Sequence, residues 1–94
     1  MAHCPYELVA DLEPVFDEMR TWPGIKEKSP GVFYVKSIPF LHFHVKDGER
    51  WADVKADKTW GEPVDIPMRS TKVARDRFAK EVRRRYELVV QAKS

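Results

Sequence analysis

Residues 40–54 read FLHFHVKDGERWADV, two runs of alternating apolar and polar residues on either side of Asp47-Gly48. Glycine tolerates the positive φ that a two-residue hairpin turn demands, so the two runs predict antiparallel strands, Phe40 to Lys46 and Glu49 to Ala56. Such a turn pairs residues whose numbers sum to 95, which sets His44 opposite Trp51 and His42 opposite Asp53. Directly opposed side chains lie about 4.5–5.5 Å apart at Cβ, within reach of an imidazole–carboxylate hydrogen bond. Leu41, Phe43, Val45, Ala52 and Val54 take the other face, which is the natural core face. The histidine face then holds Phe40, His42, His44, Trp51 and Asp53. An even register through Ser37-Ile38-Pro39 adds Phe33 and Val35 to it, and an odd one adds Val32, Tyr34 and Lys36.

Outward from the hairpin, GVFYVKS (31–37) is β-branched and aromatic and predicts a preceding strand. The polar IKEKSP (25–30) reads as a loop. Leu8, Leu12, Val15, Phe16 and Met19 recur at helical steps, predicting a helix over 12–22 with Asp11 as N-cap, Pro14 in its first turn and Pro23-Gly24 as its stop. Residues 57–69 hold two prolines and a glycine without a sustained period, and read as a long connection with room for one short edge strand. Ser70 is the expected N-cap of a second helix, whose stripe of Ala74, Phe78, Val82, Tyr86 and Val89 runs to about Val90. The expectation is a single α+β domain over 1–94: a two-layer fold with a three-stranded antiparallel sheet, a fourth strand being allowed, and two helices on one face in the order α-β-β-β-α.

Composition bounds the function. The chain has 94 residues, 43% hydrophobic and 34% charged, enough for one core. A domain of this size buries only roughly 60–65% of its unfolded surface, so aromatic residues on a second face need a reason. The single cysteine, Cys4, excludes an internal disulfide, no secretory or membrane-spanning run is present, and a cytoplasmic location is expected.

Several uses of the histidine face compete. A loop over Trp60 to Pro67 can cover it, leaving His42 bonded to Asp53 as a structural pair. Alternatively, Phe40, His42, His44, Trp51 and Asp53 form a pocket floor for a small molecule, or a contact for a protein partner or a second copy of the chain. A metal site would use the His-x-His and the carboxylate but needs a fourth ligand if structural, and His3 and Cys4 near the N-terminus are the remaining histidine and cysteine. A His42–Asp53 catalytic dyad lacks a spaced nucleophile. The chain is therefore read as a binding domain rather than an enzyme, taking a small ligand or protein partner, with no metal, cofactor or membrane assigned.

The alternative lies in the last helix. Residues 71–94 hold eight Lys/Arg against three Asp/Glu, net +5 in a chain of total +2. Arg77, Lys80 and Arg84 fall on one helical face, as in a phosphate-binding helix of a nucleic-acid-associated module. Against this, Asp76–Lys80, Glu81–Arg85 and Arg83–Glu87 are spaced as i,i+4 ion pairs, and Asp11, Glu13, Asp17 and Glu18 of the first helix are further partners.

The sequence Trp22-Pro23-Gly24, Ser29-Pro30-Gly31-Val32, the His42-x-His44 strand and Ala52-Asp53 resembles the small bacterial "luciferase-like" domain family over about a third of the chain. The resemblance implies that His42, His44, Ala52 and Asp53 carry over. The C-terminal part departs from the family pattern, lacking a later paired histidine and a Ser-Gly-Trp ending. Small frataxin-like domains share the arrangement of two helices on an antiparallel sheet, a similarity of fold alone.

Overall fold

The computed structural model describes residues 4–92. Two 3₁₀ turns, Tyr6–Leu8 and Ala10–Leu12, lead into helix α1, Glu13–Met19. Strands β1 (Ile25–Ser29), β2 (Val32–Val35), β3 (Ile38–Lys46), β4 (Glu49–Ala56), β5 (Thr59–Trp60) and β6 (Val64–Asp65) follow, and helix α2, Lys72–Ala92, closes the chain. The sheet is antiparallel in the order β1-β2-β3-β4-β5, with β6 also paired to β4. The fold is α+β, with more strands than the three or four expected and a different element order.

The central hairpin has the expected register: His42 pairs with Asp53, Phe43 with Ala52 and His44 with Trp51. Asp47 and Gly48 both take positive φ, at 53° and 79°, the geometry whose twist matches the flanking strands. Leu41, Phe43, Ala52 and Val54 are buried under the helices, while Val45 is half-buried near the end of its strand. Phe16 of α1 packs on Phe33 and Phe43 at ring-centroid distances of 5.5 and 5.8 Å, and Phe43 meets Phe78 of α2 at 5.8 Å. On α2 the stripe Phe78, Val82, Tyr86 and Val89 is buried, as its spacing requires, with Ala74 packed at its edge.

The largest departure is at IKEKSP, whose first five residues form the edge strand β1 instead of a loop. Its polar character suits an edge. Ile25 and Glu27 lie opposite the buried Val35 and Phe33. Glu27 receives Arg20 Nε at 2.8 Å, while the alternate Lys26 lies opposite Tyr34. An inward carboxylate matched by an arginine and outward lysines are what an unpaired strand edge tolerates.

Phe40 was expected on the histidine face and is instead 1% exposed in the core, 6.3 Å from the Tyr86 ring. Lys36 and Ser37 both adopt positive φ and close a two-residue turn that pairs Val35 with Ile38. The register then shifts between Phe33–Leu41 and Tyr34–Pro39, leaving Phe40 as the extra residue of a bulge. The bulge lets Phe40 and Leu41 both turn inward. Phe33 and Val35 are core residues too, so the odd set, Val32 and Tyr34, shares the histidine face, and Lys36 belongs to the turn.

Both expected N-caps are corrected. α1 is shorter than 12–22 and starts from Leu12 without a side-chain cap, though Pro14 does sit in its first turn. α2 is capped by Thr71, whose hydroxyl accepts the Ala74 N–H at 3.1 Å, and continues past Val90. Asp11 and Ser70 are occupied elsewhere: Ser70 donates its N–H at 3.0 Å and its hydroxyl at 2.5 Å to Asp11 Oδ2. Asp11 also receives both terminal nitrogens of Arg50, at 2.7 and 3.0 Å. The Arg50 side chain is fully buried on the helix side of the sheet and donates to the carbonyls of Leu8 and Ile66, at 2.7 and 3.3 Å, and of Pro67. One guanidinium thus joins the N-terminal turns, β4 and the linker before α2. Burial opposes ionisation of Asp11, but the hydrogen bonds from Arg50 and Ser70 outweigh it and hold the carboxyl well below the usual range.

Candidate functional site

Because β3 and β4 are neighbours inside the sheet and their register is set by the turn, His42, His44 and Asp53 emerge on the face away from the helices. His42 Nε2 lies 3.2 Å and His44 Nε2 2.8 Å from the same oxygen, Asp53 Oδ2. A single carboxylate oxygen is met by two imidazoles whose rings stand edge to face at 4.8 Å. The three side chains are 21, 34 and 29% exposed, reachable from solvent yet shielded from free rotation. Burial pushes the His42 imidazole below its ordinary pKa, with Asp53 pulling upward and His44 adding to the fall.

Two tryptophans hold the rings. Trp51, opposite His44, stacks on it at 5.4 Å with an interplanar angle of 24°. Trp60, brought over the sheet by the tight β4–β5 turn, meets His42 edge to face at 4.9 Å and carries Lys55 Nζ 5.0 Å from its own ring centroid. Trp60 is 42% exposed, so it flanks the cluster without sealing it. The segment after it pairs with the edge of β4 through Val64 and Asp65.

A cleft of about 390 Å³ opens beside the cluster, lined by His42, His44, Trp60, Val32, Tyr34 and Pro39 and continuing past the Pro30-Gly31 turn to Cys4. Gly31 needs its φ of +78°, and a Cβ there would touch Phe43, Val9 and Phe16. Lys28 Nζ sits 5.2 Å from the Tyr34 ring, at the far side of the same face. Of the five residues expected on the site, His42, His44 and Asp53 are brought together, Trp51 supports His44 from behind the cleft, and Phe40 is absent from it. His3 lies outside the described residues. Trp60, Val32 and Tyr34 complete the surface; an aromatic residue two positions past a tight turn was the available signal for Trp60.

The segment after Trp60 is anchored from below by Arg85, which lies three residues past Val82 and four before Val89 on the buried side of α2. Its Nη1 donates to the carbonyls of Val54 and Glu62 at 3.0 and 2.8 Å, and its Nε to Glu81 at 2.7 Å. Gly61 lies beside it, where an added Cβ would come 2.7 Å from Arg85 Nη1 and push the guanidinium from its carbonyl partners.

The basic helix presents a different picture. Arg77, Lys80 and Arg84 are exposed, and Arg84 is held by Glu81 through two hydrogen bonds of 3.0 and 2.7 Å. Glu81–Arg85 and Arg83–Glu87 form as spaced, but Asp76 pairs with Lys72 rather than Lys80. Glu13 and Asp17 serve Arg20, and Asp11 serves Arg50, so these acids of the N-terminal region are engaged away from α2.

The chain matches no protein-family model, no curated protein and no solved structure. Among the described residues no helix is long and apolar enough to cross a membrane.

Proposed function

We propose that this chain is a binding domain that takes a small, flat, mostly apolar molecule bearing an acidic oxygen group in the cleft beside His42, His44 and Asp53. The observation that carries this reading is the convergence of two imidazoles and a carboxylate at the end of an apolar cleft walled by Trp60 and Tyr34. Apolar walls with a few convergent polar groups are the usual composition of a small-molecule site. The rings offer stacking surface, and Lys28 and Lys55 beside Tyr34 and Trp60 favour an anionic substituent. Titration of ¹⁵N-labelled chain with 2-naphthoate is the test. Amide shifts should concentrate at Val32, Tyr34, His42, His44 and Trp60, and Trp60→Ala should weaken binding by about tenfold, the loss of one good stacking contact. Absence of shifts at about 1 mM naphthoate rejects the reading.

A nucleic-acid role for α2 is the weaker reading, because Arg84 is neutralised in place by Glu81.

A further inference from the structure

We propose that His42, His44 and Asp53 are the protein ligands of a divalent first-row transition-metal ion, and that the ion's remaining coordination positions face the cleft and receive the acidic oxygen of the bound molecule. The inference rests on the cleft reading above and names the group that would meet the ligand there.

The donor set is the first argument. Two imidazoles and one carboxylate suit zinc, iron(II) or cobalt(II), whereas magnesium and calcium prefer all-oxygen shells. A structural zinc site needs four protein ligands, but a site that binds an exogenous group needs three and an open position. Among the described residues this trio is the one group of three or more His, Cys, Asp or Glu side chains able to share an ion.

Geometry is the second. One ligand atom from each residue lies within 4.8 Å of the others, and both Nε2 atoms are 3.2 Å or less from Asp53 Oδ2. Metal–ligand bonds of about 2.0–2.2 Å put the donors of a tetrahedral centre roughly 3.3–3.5 Å apart, so an ion enters through small side-chain rotations. The strands are held by six consecutive residue pairs from Leu41–Val54 to Lys46–Glu49, and Trp51 and Trp60 limit the swing of the two rings. Such a scaffold is rigid where a site needs it.

The third argument is placement. The trio contributes nothing to the core, which lies on the opposite side of the sheet, and its polar atoms bind one another rather than bracing another element. His42 and His44 also line the cleft, so the open side of the cluster is where a ligand oxygen would arrive.

Metal-free chain at neutral pH and about 0.15 M salt, where non-specific surface charge is screened, is titrated calorimetrically with ZnCl₂ and followed by visible absorption with CoCl₂. One equivalent should bind with micromolar or tighter affinity, and MgCl₂ should give no heat. His42→Ala, His44→Gln and Asp53→Asn should each weaken zinc by at least about tenfold, with the far-ultraviolet spectrum of the fold retained. Zinc should raise the affinity for 2-naphthoate several-fold, with naphthoate raising that for zinc by the same factor. Zinc binding that is absent, or equal in all three variants, overturns the proposal. So does a cobalt–thiolate charge-transfer band, which would put Cys4 in the shell and remove the open position argued here. Naphthoate binding that zinc leaves unchanged overturns the claim that the ion receives the oxygen of the bound molecule while leaving the cleft reading in place; failure of naphthoate to bind under any condition removes that claim and the cleft reading together.

Discussion

The two faces of the sheet use polar side chains in opposite ways. On the helix side, Arg50 and Arg85 are buried and each joins segments far apart in the chain: Arg50 reaches Leu8, Asp11, Ile66 and Pro67, and Arg85 reaches Val54, Glu62 and Glu81. On the open side, His42, His44 and Asp53 are half-buried and bind one another across a single hairpin. Polar groups that brace the fold have many partners from distant elements; those available for a ligand have few, all local, and remain within reach of solvent. Substitutions on the two faces should therefore separate cleanly in stability.

The largest effects are expected on the helix side. Arg50→Ala should cost about 3–5 kcal/mol, because it leaves the carbonyls of Leu8, Ile66 and Pro67 without their donor and takes the guanidinium away from Asp11. Combining it with Asp11→Asn should recover part of that loss, as read from urea melts of the singles and the double. Full additivity of the two substitutions would contradict a shared bracing role. Phe40→Ala should cost a similar amount, roughly 3–5 kcal/mol, because the bulge places this ring in the core against Tyr86. A loss below about 1.5 kcal/mol, typical of positions outside the core, would mean that Phe40 lies on the histidine face after all.

The same face sets the acid response. Asp11 and Glu81 both ionise below their ordinary values, Glu81 at about 2 because Arg84 and Arg85 hydrogen-bond its carboxylate. A carboxyl with a depressed folded-state pKa contributes stability that is complete above its unfolded value and is lost as pH falls through the folded one. The denaturation midpoint should thus hold above about pH 5 and drop from there toward pH 2, with Asp11→Asn showing a shallower fall.

Smaller changes are expected on the open face. His42→Ala and His44→Ala should each cost less than about 1.5 kcal/mol, since water can replace the lost partner of Asp53. A large loss at His42 rescued by adding Asp53→Asn would make the cluster a brace like Arg50 and erase the contrast between the faces. Smallest of all is the β2–β3 turn, where Lys36 and Ser37 both hold positive φ. Replacing them with Asn and Gly, the residues that favour this turn, should raise stability by about 0.5–1 kcal/mol without altering either face.

How much was legible in the residues varies with the range of the interaction that decides each feature. The register of the central hairpin could be read because Asp47-Gly48 admits few geometries and a period of two carries the pairing to His42–Asp53 and His44–Trp51. The stripe of α2 was equally readable, since every member lies within one helix. Strand β1 was hidden because its polar residues are accounted for by Arg20, the residue that ends α1, and by its place at the sheet edge, neither of which is local. Phe40 was misplaced because a turn of two non-glycine residues at positive φ, followed by a bulge, broke the alternation that the reading extended backward from His42.

By itself, then, the sequence determined which residues share the hairpin's two sides and that two imidazoles and a carboxylate stand together on one of them, because turn chemistry and strand period act between near neighbours. Tertiary structure decided which charges are buried and what surrounds the cluster. Asp11 meets Arg50 and Ser70, Arg85 anchors the loop bearing Trp60, and the Pro30-Gly31 turn ends beside β3 to leave a cleft. These contacts join residues of different elements, and a charge or a ring leaves no periodic mark of a partner that only the packed layers bring near.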